Sequence, residues 1–173
     1  MEVGMALAFV LYGMTTSDSW WMMVMMLAFM GILGFLAVYD GKWGELPTKQ
    51  LMVAIGVGLI ISVVKIATGE AEIWSALAGI GVLAGIYYIL YIVSKERLVG
   101  GGDWMLGLAL ALAVSDWWLA IWVMFLANAM GSLVALPQMM RGKKKKIYFG
   151  PYLVVAFVVV TILAEELTGL ICF

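Results

Sequence analysis

Apolar runs of up to 20 residues, separated by turns of a few polar residues, recur along this 173-residue chain. A helix needs about 20 apolar residues to cross roughly 30 Å of hydrocarbon. Backbone groups in lipid must be satisfied within the segment itself, which makes helices the natural outcome of such runs. Only 12% of the residues are charged and 65% are hydrophobic, with a mean hydropathy of +1.09. A water-soluble globule carries about a quarter of its residues as charges. The expected fold is therefore all-α, a polytopic membrane protein with six or seven transmembrane helices in a single domain over residues 1–173.

The composition also narrows the chemistry. Cys172 is the only cysteine and histidine is absent, so an internal disulfide, a Cys/His zinc site and a His-based triad are excluded. No metal or organic cofactor is expected. A net charge of −1 gives no reason to expect nucleic acid. The 14 Met and eight Trp suit lipid-facing filler and interfacial anchors. The opening residues 1–14 have no cationic segment and no small-residue cleavage site, so they are read as retained rather than as a signal peptide.

In chain order the expected spans are residues 3–14, 20–39, 47–67, 73–93, 104–114, 117–136 and 152–170. The first is only 12 residues long and either crosses a thinned region or lies at the interface. The span at 20–39 is expected to give way at Asp40 to a turn-rich segment, with Pro47 as the first residue of the next helix. The apolar run at 104–114 is 11 residues long, about 16 Å as a helix, so something must absorb the mismatch with the bilayer. Pro137 is expected to stop the span at 117–136.

Nine of the ten Lys and Arg residues (Lys42, Lys49, Lys95, Arg97, Arg141 and Lys143 to Lys146) fall in three loops on one side once the spans alternate. That side is cytoplasmic by the positive-inside rule. The other side carries Asp18, Glu70, Glu72, Asp116, Glu165 and Glu166, with Lys65 expected to snorkel outward from its helix end. The lysine run at 143–146 fixes topology beside the lipid bilayer.

This orientation puts Asp40 and Asp103 on the same, cytoplasmic side. Asp103 ends the stretch Gly100-Gly-Gly-Asp103, and a charge beside so much apolar sequence invites a functional reading. Two carboxylates brought together in a low-dielectric pocket cannot both ionise easily, so one keeps its proton while the other stays charged. The charged one can take a proton from water as it attacks a peptide carbonyl; the protonated one can hydrogen-bond the carbonyl oxygen. Gly100 and Gly102 are expected to use the freedom of glycine at φ > 0 and to let a substrate strand approach.

Three segments, in order, resemble the type IV prepilin peptidase and archaeal preflagellin peptidase family, the GxGD membrane aspartic proteases. Val38-Tyr-Asp-Gly-Lys-Trp-Gly-Glu-Leu-Pro47 looks like the first-aspartate motif, Gly100-Gly-Gly-Asp103 resembles the second, and Lys146-Ile-Tyr-Phe-Gly-Pro-Tyr152 looks like the basic loop and Phe-Gly-Pro entry to the final helix. The resemblance implies a single membrane-embedded aspartic protease domain with Asp40 and Asp103 as the catalytic dyad and Gly100, Gly102 and Pro47 shaping its loops. It implies pilin-like or archaellin-like precursors as substrates, cut at the cytoplasmic face just before their hydrophobic helix, and leaves a second copy of the chain as a candidate partner. Two departures stand out. Met105 occupies a position where many bacterial members have Lys. The chain also lacks the cysteine-containing domain of the large bacterial enzymes, which implies a short form with protease activity alone.

Other readings stay open on the sequence. Intramembrane carboxylates also serve small proton- or cation-coupled transporters and channels, although such proteins place acids in mid-span and often show internal symmetry. Presenilin-like proteases pair a Tyr-Asp, as at Tyr39-Asp40, with a GxGD, but Ala135-Leu-Pro137 is not their Pro-Ala-Leu motif. A structural membrane subunit without a site is a third reading.

Overall fold

The computed structural model describes residues 20–44, 46–94, 100–140 and 149–169. The expected span at 3–14, the cations at 95–97 and 141–146, and Cys172 lie outside them. Among the described residues there are eight α-helical segments: α1 (Trp20–Trp43), α2 (Thr48–Thr68), α3 (Ile73–Ile80), which passes through a π-helical stretch (Gly81–Gly85) into α4 (Ile86–Ser94), then α5 (Gly101–Val114), α6 (Trp117–Met140), α7 (Gly150–Ile162) and α8 (Ala164–Gly169).

Among the described residues four segments are long and apolar enough to cross a membrane: Val24–Trp43, Thr48–Thr68, Ile73–Val93 and Trp117–Val134. Gly101–Val114 and Gly150–Ile162 are apolar but shorter. The all-helical expectation therefore holds for these residues, and four of the six or seven expected spans are found among them.

Several boundaries differ from the sequence reading. Helix α1 continues past Tyr39 to Trp43 and ends where Gly44 takes φ 67° and returns its N–H to the Asp40 carbonyl at 2.7 Å. Glycine in the left-handed region is a common helix stop, so Gly44 and not Asp40 terminates the helix. Pro47 is the residue just before α2 (φ −69°, ψ 117°), and the helix begins at Thr48. Helix α6 runs through Pro137 to Met140: proline weakens a helix by withholding one N–H, and here the chain carries on for three more residues.

Helix α5 is the centre of the bundle. Leu106, Gly107 and the whole of 109–114 are buried, on every face of the helix rather than on one stripe. It crosses α2 closely, because a Cβ on Gly58 would lie 2.8 Å from the Ala109 carbonyl oxygen. It also nests against the π-helical stretch, where a Cβ on Gly107 would lie 3.1 Å from the Leu83 carbonyl oxygen. Small residues at crossings let apolar helices approach to backbone contact. Around α5, the stripes Phe29/Leu33/Leu36 of α1, Leu51/Ala54/Ile61 of α2, Ala120/Val123/Ala127 of α6 and Leu153/Ala156/Phe157 of α7 supply the fully buried core. Their spacing by three and four residues is the apolar face of each helix.

The central position answers the length mismatch. At 14 residues, α5 rises about 21 Å, still short of the bilayer, but its surroundings are protein rather than lipid. Its last turn is closed by Lys65, whose Nζ donates to the carbonyls of Ala113 at 2.9 Å and Val114 at 3.4 Å. This corrects the expectation that Lys65 snorkels outward: unsatisfied C-terminal carbonyls attract cations, and those of the short helix lie within its reach.

Candidate active site

The bundle has two distinguishable ends. At one, Lys65 meets Ala113, Ser75 donates to Asp116 Oδ2 at 3.3 Å, and Asp116 Oδ1 accepts the Leu119 N–H at 2.9 Å to start α6. At the other lie the last turn of α1, the Leu46-Pro47 segment, the first turn of α5 and the first turn of α7. Both Asp40 and Asp103 belong to this second end.

Asp40 sits on the last turn of α1, 5% exposed. Its Oδ2 accepts the Gly150 N–H at 3.0 Å. Gly150 is the first residue of α7 and Pro151 follows it, so the carboxylate lies against a helix N-terminus, where unpaired N–H groups favour negative charge. The contact needs glycine: a Cβ at 150 would lie 2.6 Å from Oδ2 and 3.2 Å from Cγ. The Phe-Gly-Pro segment is legible in the sequence, but its role as the seat of Asp40 is not.

Asp103 is the third residue of α5, 8% exposed. Its Oδ2 reaches back to accept the Gly100 N–H at 3.0 Å, and its own N–H donates to the Gly100 carbonyl at 3.1 Å. An acid at this position of a helix's first turn satisfies one of the orphan donors.

The glycines act differently from the expectation. Gly100 has φ −74° and ψ 156°, Gly101 and Gly102 are helical, and among the described glycines only Gly44 and Gly69 take positive φ. What Gly102 provides is clearance: a Cβ there would lie 2.6 Å from Cβ of Leu46 and 2.8 Å from its Cδ1. The Leu-Pro of the first motif is thus seated on the second motif. Pro47 precedes α2 and fixes where Leu46 enters. Met105 packs partly buried against the core.

Near the end of α5 that carries Asp103 lie two residues that the sequence did not single out, Tyr87 and Tyr91. Tyr87, 1% exposed, packs its ring on Phe149 with centroids 5.6 Å apart, and Phe149 adjoins Gly150. On the α5 side Tyr87 Cδ2 is 3.4 Å from a Cβ position on Gly107, and Tyr91, one turn along, is 3.5 Å from that of Gly101. Asp103 lies between those two positions and shares a face with Gly107, four residues on. The Tyr87 oxygen accepts from Asn128 Nδ2 at 3.0 Å, and the same amide donates to the Met124 carbonyl at 2.7 Å. Only the Tyr and Asn identities inside apolar helices could have marked this pair in the sequence.

Tyr39 faces elsewhere. Its ring stacks on Trp43 at 4.5 Å, with Lys42 Nζ 5.5 Å from the Trp43 centroid, an aromatic and cationic cluster of the kind found where a helix leaves lipid. Among the described residues no three Asp, Glu, Cys or His side chains cluster as metal ligands would.

Fold and site together define an all-helical bundle with several membrane-crossing candidates and two buried carboxylates at one end. Over 155 residues, 87% of this chain, the sequence is 27% identical to the prepilin leader peptidase/N-methyltransferase of Stutzerimonas stutzeri. The chain spans about half of that relative's length, 53%. No family model and no solved structure matches the chain.

Proposed function

We propose that this protein is a membrane aspartic endopeptidase of the prepilin peptidase type, which removes the N-terminal leader of pilin-like or archaellin-like precursors at the cytoplasmic membrane face. The observation that carries the reading is the placement of Asp40 and Asp103, both buried, at one end of the bundle, with Leu46 of the first motif seated on Gly102 of the second. The similarity to a prepilin leader peptidase supports it independently.

In this reading one carboxyl is ionised and one protonated. Asp40, against the α7 N-terminus, and Asp103, bonded to the Gly100 amide, are each anchored to backbone through Oδ2, which holds the two groups in place for the reaction. The ionised acid takes a proton from the attacking water, and the protonated one donates to the scissile carbonyl oxygen as negative charge develops there. Collapse of the tetrahedral intermediate returns a proton to the leaving nitrogen.

The test is cleavage of a leader-bearing pilin precursor by purified protein in detergent. Asp40→Asn and Asp103→Asn should each abolish turnover while the protein still unfolds at its usual temperature. Unchanged cleavage by either variant sinks the dyad.

A further inference from the structure

We propose that Phe149 is a positioning residue for Asp40: its ring, packed against Gly131 of α6 and Tyr87 of α4, sets the peptide unit whose N–H grips that carboxylate. The inference rests on the reading of Asp40 as one of the reacting acids and adds a residue that acts through the backbone.

The hold on Asp40 hangs on a single peptide unit. The N–H that meets Oδ2 at 3.0 Å is that of Gly150, and the carbonyl of the same unit is that of Phe149. Over residues 150–153 no other N–H can take its place. Pro151 has none, and those of Tyr152 and Leu153 donate to the Phe149 carbonyl at 3.1 and 3.2 Å. In a planar trans peptide the N–H and C=O point in opposite directions, so the unit meets the carboxylate with one end and closes the first turn of α7 with the other. Its tilt, and with it the place of Asp40, follows from the backbone of Phe149, at φ −87° and ψ −27°.

The ring keeps that backbone from turning. Helix α4 supplies one wall: Tyr87, fully buried, packs against it with centroids 5.6 Å apart and planes tilted by 59°. Helix α6 supplies another at Gly131, where a Cβ would lie 3.0 Å from Cε2 and 3.4 Å from Cδ2 of Phe149. Carbon atoms pack best at about 3.5–4.0 Å, so the ring fits only because residue 131 has no side chain. Glycine inside a helix is less favourable than alanine by up to about 1 kcal/mol, and the room it leaves is filled by Phe149. Two helices that carry neither acid thus fix the amide that holds one of them.

The experiment measures kcat, KM and thermal unfolding of the full chain in detergent, with a leader-bearing pilin precursor, for Phe149→Leu, Gly131→Ala, their double variant, Phe157→Leu and Asp40→Asn. Phe149→Leu removes the ring but keeps an apolar side chain. Its kcat per folded molecule should fall roughly ten- to a hundredfold, since a misplacement of about 1 Å can cost a hundredfold, with KM within about twofold. Gly131→Ala pushes on the same ring from α6 and should lower kcat in the same way, by less. Added to Phe149→Leu it should cost nothing further, because Cε2, the atom it crowds most, is gone. Phe157→Leu is the packing control. That ring lies about two turns along α7, fully buried against Phe29 with centroids 5.9 Å apart, and its loss should lower the unfolding temperature while kcat per folded molecule stays near that of the parent.

A kcat for Phe149→Leu equal to that of the parent, or lowered no more than that of Phe157→Leu, overturns the proposal, as does a loss confined to KM or to the folded fraction. Multiplying losses in the double variant also overturn it, because Gly131 would then act apart from the ring. Retained cleavage in Asp40→Asn removes the reading underneath and this inference with it, and that control identifies the failure separately. Should Phe149→Leu fail to fold, Gly131→Ala decides: a parental kcat in the folded protein refutes the role, and a lowered kcat with KM unchanged sustains it.

Discussion

The Gly150 amide holds Asp40 by its Oδ2 at 3.0 Å, and it does so at a distance that only glycine permits. Helix α1 ends with its carboxylate pressed on the first turn of α7, so the orientation of the acid depends on two helices that are 110 residues apart in sequence.

Gly150→Ala is therefore expected to act on the site before it acts on the fold. The added methyl meets Oδ2 at 2.6 Å, and either the carboxylate turns away or α7 shifts. Overpacking of this kind costs about 1–3 kcal/mol. Cleavage of a pilin precursor should drop at least about tenfold, since a misplacement of about 1 Å can cost a hundredfold in rate. Thermal unfolding in detergent and turnover, measured on the same preparation, check the two effects; wild-type turnover would show that the clearance is immaterial.

The seating of Leu46 on Gly102 makes a paired prediction. Gly102→Ala drives a methyl into Cβ of Leu46 at 2.6 Å, an atom that cannot swing aside. Activity should fall sharply and stability by about 1–3 kcal/mol. Leu46→Gly removes the obstructing side chain, so the double variant should recover much of the activity lost by Gly102→Ala, despite the entropic cost of about 0.5–1 kcal/mol for a new glycine. A double-variant cycle that shows simple additivity would mean that the two motifs do not touch in the working protein.

How much of this was legible follows from what apolar patterning can encode. Runs such as 48–68 announce a helix through length and hydropathy, and the two acids flanked by turn residues announce themselves through their cost in lipid. Helix α5 escapes that logic: buried on all sides, it needs neither the length of a span nor a stripe, and its run of apolar residues gave no hint that its neighbours are protein. The partners of the acids were hidden for a different reason. Gly150 and Gly102 matter for the side chain they lack, against residues far away in the chain, and a single sequence records no such distance. Tyr87 and Asn128 each look like ordinary helix residues until the packing sets one above the other. The end of α1 could have been placed better, because Lys42 and Gly44 are the usual cation and glycine of a helix C-terminus.

Lys65 separates stability from catalysis. It donates to the Ala113 and Val114 carbonyls at the end of α5 remote from Asp103. Lys65→Met keeps most of the apolar stem and removes the donor, leaving two carbonyls unpaired at a cost of about 1–3 kcal/mol. The unfolding temperature should fall, while kcat per folded molecule stays near that of the parent. Lys65→Arg, which retains donors, should fall less. An equal loss in both variants would show that the hydrogen bonds are not what the lysine provides.

The crossing of α2 and α5 gives an internal comparison on one helix. Gly58 faces the Ala109 carbonyl oxygen, 2.8 Å from where its Cβ would be, whereas Gly56, two residues away, has nothing within 4 Å. Alanine is the better helix former by up to about 1 kcal/mol, so Gly56→Ala should be neutral or stabilising. Gly58→Ala gains the same propensity but must push apart the backbones of α2 and the central helix. It should be net destabilising by about 1–2 kcal/mol, and because α5 carries Asp103 at its start, its activity should fall more than Lys65→Met lowers it. The two alanine variants, measured side by side by thermal unfolding and by precursor cleavage, isolate helix contact from helix propensity. If both behave alike, α2 and α5 do not meet at Gly58, and the depth of Asp103 must be set elsewhere.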